Sequence, residues 1–249
     1  KGGHGVLDIK NISSVIQFLR EHNLVSYFLE KDFKLLPPLI PGKIIALGWN
    51  YMAHAKEGKV SPPSEPVYFE KSVSAIIGPE EAVKIPPGIG RVDPEVELAV
   101  VIGKKTRKVQ KEKAYKHIFG YTILNDVTAR EMQKRDIENR LPWFRSKSID
   151  TFCPLGPWII PRQEIEDPMN LKLWMRVNGE IRQFSSTENM IFDIPTIIST
   201  ISSIITLNPG DIVSTGTPEG IQPVYPGDIM EAEVERIGIL KNTVVQGDE

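Results

Sequence analysis

VDPEVELAVVIG, residues 92–103, is the stretch on which the fold of this chain turns. From Val96 to Ile102 every residue except Glu97 is aliphatic. A run of that kind between Pro94 and Gly103 reads as a strand covered on both faces. Side chains alternate along a strand, so Glu95 and Glu97 project to the same side, roughly 6.5–7 Å apart. Two same-side carboxylates beside so apolar a run repel each other and lose hydration unless a cation neutralises them. On an exposed edge strand a Glu-x-Glu carries no such meaning, and taken alone the pair fits either setting.

GYTILND, residues 120–126, is the second half of the same pattern. Asp126 ends this β-branched and aromatic run and precedes a capping-box sequence, Thr128 to Glu131, which predicts a helix starting at Thr128. Asp is favoured at any strand-to-helix turn. If the two strands are neighbours, however, three carboxylates converge. The rest of the composition leaves few other ligands: the chain of 249 residues has one cysteine and four histidines. That excludes a disulfide framework and a multi-thiolate zinc site. Three oxygen ligands without histidine or thiolate favour Mg²⁺ or Mn²⁺, with open positions for water and substrate.

Outward from this centre the chain reads mainly as strands. KIIALG (43–48) predicts a buried strand, and WNYMAHAKEGK (49–59) a short helix ending at Gly58. On that helix His54 and Glu57 form H-x-x-E. Residues i and i+3 share a face, so the carboxylate can fix the imidazole tautomer; many exposed helices carry such a pair by chance. PVYFEKSVSAIIGP (66–79) continues the strand pattern. LKLWMRVNGEIRQF (171–184) predicts a hairpin turning at Asn178-Gly179. Ile194, Ile197, Ile198 and Ile201 follow helical spacing with Asp193 as N-cap. The tetrapeptide PGDI at 209–212 recurs at 226–229 and predicts two similar strand entries. Residues 8–40 read as mostly helical and then irregular, ending in LPPLIPG, which marks a boundary between a leader (1–40) and a catalytic domain (41–249).

Charge and hydropathy exclude other classes. Thirty Lys and Arg against 32 Asp and Glu give a net charge of −2, without the basic excess of a nucleic-acid binder. The basic stretch 104–118 carries a single Phe, Tyr or Trp, Tyr115, and reads as a solvated surface. No run reaches ~18 consecutive apolar residues, so no membrane span is expected, and no signal-peptide pattern is present. A soluble cytoplasmic protein is the expectation. Three further elements are ambiguous alone. Lys147, in RSKSIDTFCPLGP (145–157), can pair with an anionic substrate or be an ordinary surface lysine. TGTPEG (215–220) offers hydroxyls and backbone N–H groups for a carboxylate, or is only a turn. Cys153 reads as a packing residue.

The order and spacing of these blocks carry more than any one of them. LGWNYMAHAKE, VDPEVELAVVIG, GYTILNDVTAREMQ, RSKSIDTFCPLGPWI, VNGEIRQFSSTENMIF, LNPGDIVSTGTPEGI and PGDIMEAEVERIGILKN together resemble the fumarylacetoacetate hydrolase family, from about Lys43 to Gln246. The resemblance implies a β-rich α+β fold, a mixed β-roll or β-sandwich catalytic domain, often a homodimer. It implies Glu95, Glu97 and Asp126 as ligands of Mg²⁺ or Mn²⁺. His54 and Glu57 would be the catalytic dyad on a segment that orders over the substrate. Lys147 would be catalytic and, with Gln133 and Thr217, would bind substrate. The substrate class implied is a small anionic 2-oxo acid. The intact dyad points to hydrolysis of a C–C bond in an acylpyruvate-like acid, the alternative being isomerisation of 2-hydroxy-dienedioates or decarboxylation of oxaloacetate on the same site. The chain departs from the common family pattern in three places. FEKSVSA (69–75) lacks a proline, Glu131 stands for an aspartate, and Trp49 stands where a basic or small apolar residue is usual.

Overall fold

The computed structural model describes residues 34–58 and 61–248. Most of the expected leader lies outside them, whereas all the blocks around the carboxylates lie within them. In chain order the elements are β1 (Ile44–Gly48), α1 (Met52–Glu57), β2 (Val67–Lys71), β3 (Ile76–Ile77), β4 (Val83–Ile85), β5 (Val92–Asp93), β6 (Val96–Ile102), β7 (Ile118–Asn125) and β8 (Thr128–Ala129). There follow α2 (Arg130–Glu138), α3 (Phe144–Lys147), β9 (Cys153–Pro161), β10 (Lys172–Val177), β11 (Glu180–Ser186), α4 (Ile194–Ile204), β12 (Ile212–Ser214), β13 (Ile229–Val234) and β14 (Gly238–Gln246).

Two mixed sheets dominate this β-rich α+β fold. One has seven strands in the order β2-β1-β12-β6-β7-β9-β3, and the other five, β11-β10-β13-β14-β4. β6 sits in the interior of the larger sheet, paired antiparallel to β12 on one side and β7 on the other. Strands β10 and β13 of the second sheet lie against it. Every residue of β6 is buried. That is why its sequence is aliphatic rather than alternating: both faces are covered. The edge-strand alternative for Glu-x-Glu is thereby overturned, since Glu95 and Glu97 are 3% and 1% exposed.

Local sequence signals explain most of the boundaries. The hairpin between β10 and β11 turns at Asn178 and Gly179 with φ of 53° and 82°, the two left-handed positions of a type I′ turn. Asp193 caps α4 by accepting from the Thr196 N–H at 2.8 Å. The helix then buries Ile194, Ile197, Ile198 and Ile201. Both PGDI segments enter strands at their isoleucine, Ile212 and Ile229. In each the aspartate accepts a backbone N–H three residues back, from Asn208 and Tyr225. The stretch 104–118 is largely exposed. Cys153 is buried in β9, and burial pushes its thiol up to about 12, consistent with packing and not nucleophilic chemistry.

One boundary differs from expectation. The helix starts at Arg130, because Thr128 and Ala129 pair with Asp93 and Val92 as a short antiparallel ladder. The Thr128 hydroxyl donates to the Asp126 carbonyl at 2.8 Å instead of capping a helix. The Arg130 N–H extends this pairing by donating to the Arg91 carbonyl at 2.8 Å. Among the described residues no helix is long and apolar enough to cross a membrane.

Candidate active site

The carboxylates meet where the ends of two paired strands come together. In the β6–β7 ladder Val96 faces Asn125, so Glu95 and Glu97 flank one strand start and Asp126 leaves the adjoining strand end. The Asp126 N–H donates to the Glu95 carbonyl at 2.8 Å, and the Asn125 side chain accepts the Glu95 N–H at 2.9 Å. One carboxylate oxygen from each of Glu95, Glu97 and Asp126 lies within 4.8 Å of the others, and all three residues are buried.

Three cations surround this triad, two of which the sequence reading did not single out. The Lys147 ammonium, delivered by the last turn of α3, donates to Glu95 Oε2 at 2.8 Å and to Asp126 Oδ2 at 2.5 Å. Lys71, at the end of β2 and fully buried, donates to Asp126 Oδ1 at 2.6 Å and to the Lys147 carbonyl. Arg130 bonds Glu95 Oε1, Asp93 Oδ2 and Gln133 Oε1, joining the first turn of α2 to both strands. Burial alone would raise the Glu95 carboxyl, but Lys147 and Arg130 hold it well below the usual carboxylate range. Lys147 is likewise held above its ordinary value: burial opposes its charge, and the carboxylates of Asp126 and Glu95 outweigh burial.

Glu97 is different. Burial first, and then the Asp126 carboxylate, push it well above its usual value. Its Oε2 accepts from the Ser214 hydroxyl at 2.5 Å and the Gly216 N–H at 3.0 Å, while its Oε1 is buried without a partner. A buried carboxylate oxygen left unpaired is costly, and a cation between the three carboxylates satisfies it. The donor set is all oxygen, which suits Mg²⁺ or Mn²⁺. The residues present therefore fit a divalent cation.

TGTPEG does bind carboxylates, but the protein's own. Gly216 serves Glu97, and the Gly220 N–H reaches Glu57 at 3.1 Å. Thr217 is buried, donating to the Val96 carbonyl at 3.0 Å and accepting from Gln183 Nε2 at 2.9 Å. Gln183, on β11, also accepts the Val96 N–H at 3.0 Å and so clamps the loop to the glutamate strand. Sequence reasoning passed over it because a glutamine in a hairpin carries no chemical signal. Beside Gln183 the β10–β11 register shifts, leaving Arg182 as the extra residue of a β-bulge in β11.

His54 and Glu57 form the expected pair on α1, with Nδ1 to Oε2 at 3.2 Å. Burial opposes the Glu57 charge, yet the His54 hydrogen bond and the Gly220 N–H lower its pKa. His54 shares a narrow cleft with Glu95, Arg130, Gln133, Lys147 and Thr217. Every sequence-predicted site residue thus lies in or beside one cluster. The cleft's remaining wall is aromatic. Trp49 stacks on His54 with ring centroids 5.2 Å apart, and Trp143 meets Trp49 edge-on at 6.0 Å and Phe69 at 5.6 Å.

Fold and site together define a β-rich α+β protein with a buried carboxylate triad beside a histidine–glutamate pair. The family model for the fumarylacetoacetate (FAA) hydrolase C-terminal domain matches residues 43–245. The chain belongs to this family. A protein of Pyrococcus abyssi is 50% identical over 208 residues, covering 84% of this chain and 92% of its own length. Human mitochondrial oxaloacetate tautomerase FAHD2A is 42% identical over 218 residues, 85% of this chain and 69% of that protein. The crystal structure of a 5-carboxymethyl-2-hydroxymuconate delta-isomerase from Mycobacterium smegmatis matches with a TM-score of 0.79 and 44% identity, covering 87% of this chain and 83% of that one. The fold class expected from the sequence is that of these proteins.

Proposed function

We propose that the chain is a divalent-cation-dependent enzyme that interconverts the enol and keto forms of short 2-oxo diacids. The observation that carries this reading is the cleft in which one histidine, His54, meets Glu95 of the triad and the cations Lys147 and Arg130. Two relatives add support, being a tautomerase and a delta-isomerase by name. Both names describe moving a proton while the carbon skeleton stays whole.

Glu95, Glu97 and Asp126 would hold the cation, which supplies positive charge where a 2-oxo acid gathers negative charge as it enolises. The chain's own residues do the rest. Glu57 takes the Nδ1–H of His54, which leaves Nε2 as the basic nitrogen. Nε2 receives the proton from the carbon beside the carbonyl and returns one to the enol oxygen, so the step neither adds nor removes an atom. Arg130 keeps Glu95 ionised and in place. Gln133, itself held by Arg130, leaves its amide N–H groups for a substrate oxygen. Lys147 spends two of its three N–H donors on Glu95 and Asp126, which leaves one for a substrate carboxylate. The aromatic wall excludes water and strengthens each of these interactions.

Hydrolysis of an acylpyruvate is the second reading, and the formed His54–Glu57 pair is what favours it: the same Nε2 can take a proton from water. Product analysis separates the two. With Mg²⁺ and a panel of enol oxaloacetate, a hydroxydienedioate and an acylpyruvate, the proposal expects enol absorbance to fall while the carbon skeleton stays intact. His54→Ala should lower kcat/KM by about 10²–10⁴-fold. Appearance of pyruvate plus a free carboxylic acid as the main products establishes the hydrolase reading instead.

A further inference from the structure

The cleft has a feature that the triad and the dyad do not explain: two indoles wedged together at its wall. Trp49 follows β1 with φ of 59°, a left-handed conformation that a bulky residue rarely adopts. Such a conformation persists only where the surroundings over-determine it. Those surroundings are specific to the indoles. At Gly48 an added Cβ would lie 2.6 Å from the Trp143 ring, and at Gly58 an added Cβ would lie 2.4 Å from the Trp49 ring. The backbone on either side of α1 is therefore stripped of side chains where the two rings pass. Trp143 is fixed in turn by Phe69, and the Phe69 ring lies 5.2 Å from the Lys147 ammonium. Trp49, His54, Phe69, Trp143 and Lys147 all line the same cleft.

From this packing we infer that Trp49, braced by Trp143, sets the length limit of the substrate. The inference rests on the proposed action on 2-oxo diacids and names the part of that class the site accepts. The acid's 2-oxo carboxylate end belongs at the triad, where the cations converge. Its far end then runs into the Trp49–Trp143 pair. Each added methylene carries that end further toward the two rings, so a diacid of six or seven carbons competes for the space of the Trp49 ring more than a four-carbon one does. A flat ring stacked on His54 and met edge-on by Trp143 has fewer ways to yield to added methylenes than a flexible side chain does.

The test is binding of straight-chain 2-oxo diacids of four to seven carbons by calorimetry with Mg²⁺ present, on the wild type, Trp49→Ala and Trp49→Phe. Near-ultraviolet circular dichroism reports the coupled indole pair. That signal should vanish in both variants while the far-ultraviolet spectrum stays native, which establishes that the pair is lost without unfolding. The wild type should bind the four-carbon acid and discriminate against the six-carbon acid by roughly 10-fold or more, the range a crowded pocket imposes for added methylenes. Trp49→Ala should erase most of that discrimination by gaining affinity for the longer acids, with Trp49→Phe intermediate. A chain-length ratio unchanged in folded Trp49→Ala overturns the inference and leaves the proposed substrate class standing. Failure of the wild type to bind any 2-oxo diacid overturns both.

Discussion

At the scale of single residues, the site is a charge-compensated cluster built before any ligand arrives. Glu95, Glu97, Asp126 and Asp93 face Lys71, Lys147 and Arg130, and all seven groups are buried or nearly so. Each pair is tolerable only because its partners are in place, since removing one member of a buried ion pair leaves the other desolvated and unpaired. Lys71 is the cleanest case: it touches no part of the cleft, yet ties Asp126 to the carbonyl of Lys147. Lys71→Met should therefore cost about 3–5 kcal/mol in a urea unfolding experiment. A loss below about 1 kcal/mol, the scale of an exposed pair, contradicts the view that this ammonium is structurally committed. Residue types and strand alternation brought the three carboxylates together conditionally, and the family resemblance singled them out as a set. Their cation partners were not legible, because Lys71 and Arg130 lie far from Asp126 or Glu95 in sequence and meet them only through β2 pairing with β1 and through the start of α2.

At the scale of elements, short-range chemistry decided the boundaries that sequence could predict. Asn178-Gly179 determines its own turn, and Asp193 determines the start of α4. Thr128 shows the opposite outcome. Its capping-box pattern is genuine, but pairing with β5 competes for the same backbone and takes it. Pairing of that kind depends on a partner some 35 residues away, so no local pattern signals it. The Asp193 cap supports a direct measurement. Burial opposes its charge, but hydrogen bonds from Lys111 and Thr196 lower its pKa below the ordinary value. A carboxylate with a depressed folded-state pKa contributes stability that is present above its unfolded value and lost as pH falls through the folded one. Asp193→Ala should cost about 1 kcal/mol at neutral pH, as caps do. The difference from wild type should narrow as the pH drops through and below the normal aspartate range. A difference that stays constant on acidification contradicts the role assigned to the charge.

At the scale of the whole molecule, two sheets cover β6 so completely that the only polar groups along it are those of the site. The seven sequence blocks announced the family because each one supplies either a strand of this frame or a group at its open end. Function was less legible than fold. Lys147, expected to meet the substrate, lines the cleft and also bridges two of the carboxylates, and the TGTPEG turn holds protein carboxylates. Both depend on which neighbour arrives in three dimensions, which spacing along the chain does not encode. One consequence belongs to the molecule as a unit. A cation bound by three carboxylates from two strands stabilises the folded state alone, by about 2.7 kcal/mol at roughly a hundredfold excess over Kd. Mg²⁺ or Mn²⁺ should raise the Tm of the wild type and leave Glu97→Gln unmoved. An equal rise in both places the cation elsewhere.

The central claim is that this site moves a proton next to the carbonyl of a short 2-oxo diacid, with the triad as its cation holder and His54 as its base. The most direct test follows exchange of solvent deuterium into the carbon beside the carbonyl of oxaloacetate, by NMR, with Mg²⁺ and with a chelator. The account predicts incorporation well above the uncatalysed rate with Mg²⁺, abolished by chelation, by Glu97→Gln and by His54→Ala while each variant remains folded. Incorporation that is no faster than in buffer, or that survives the chelator undiminished, contradicts it.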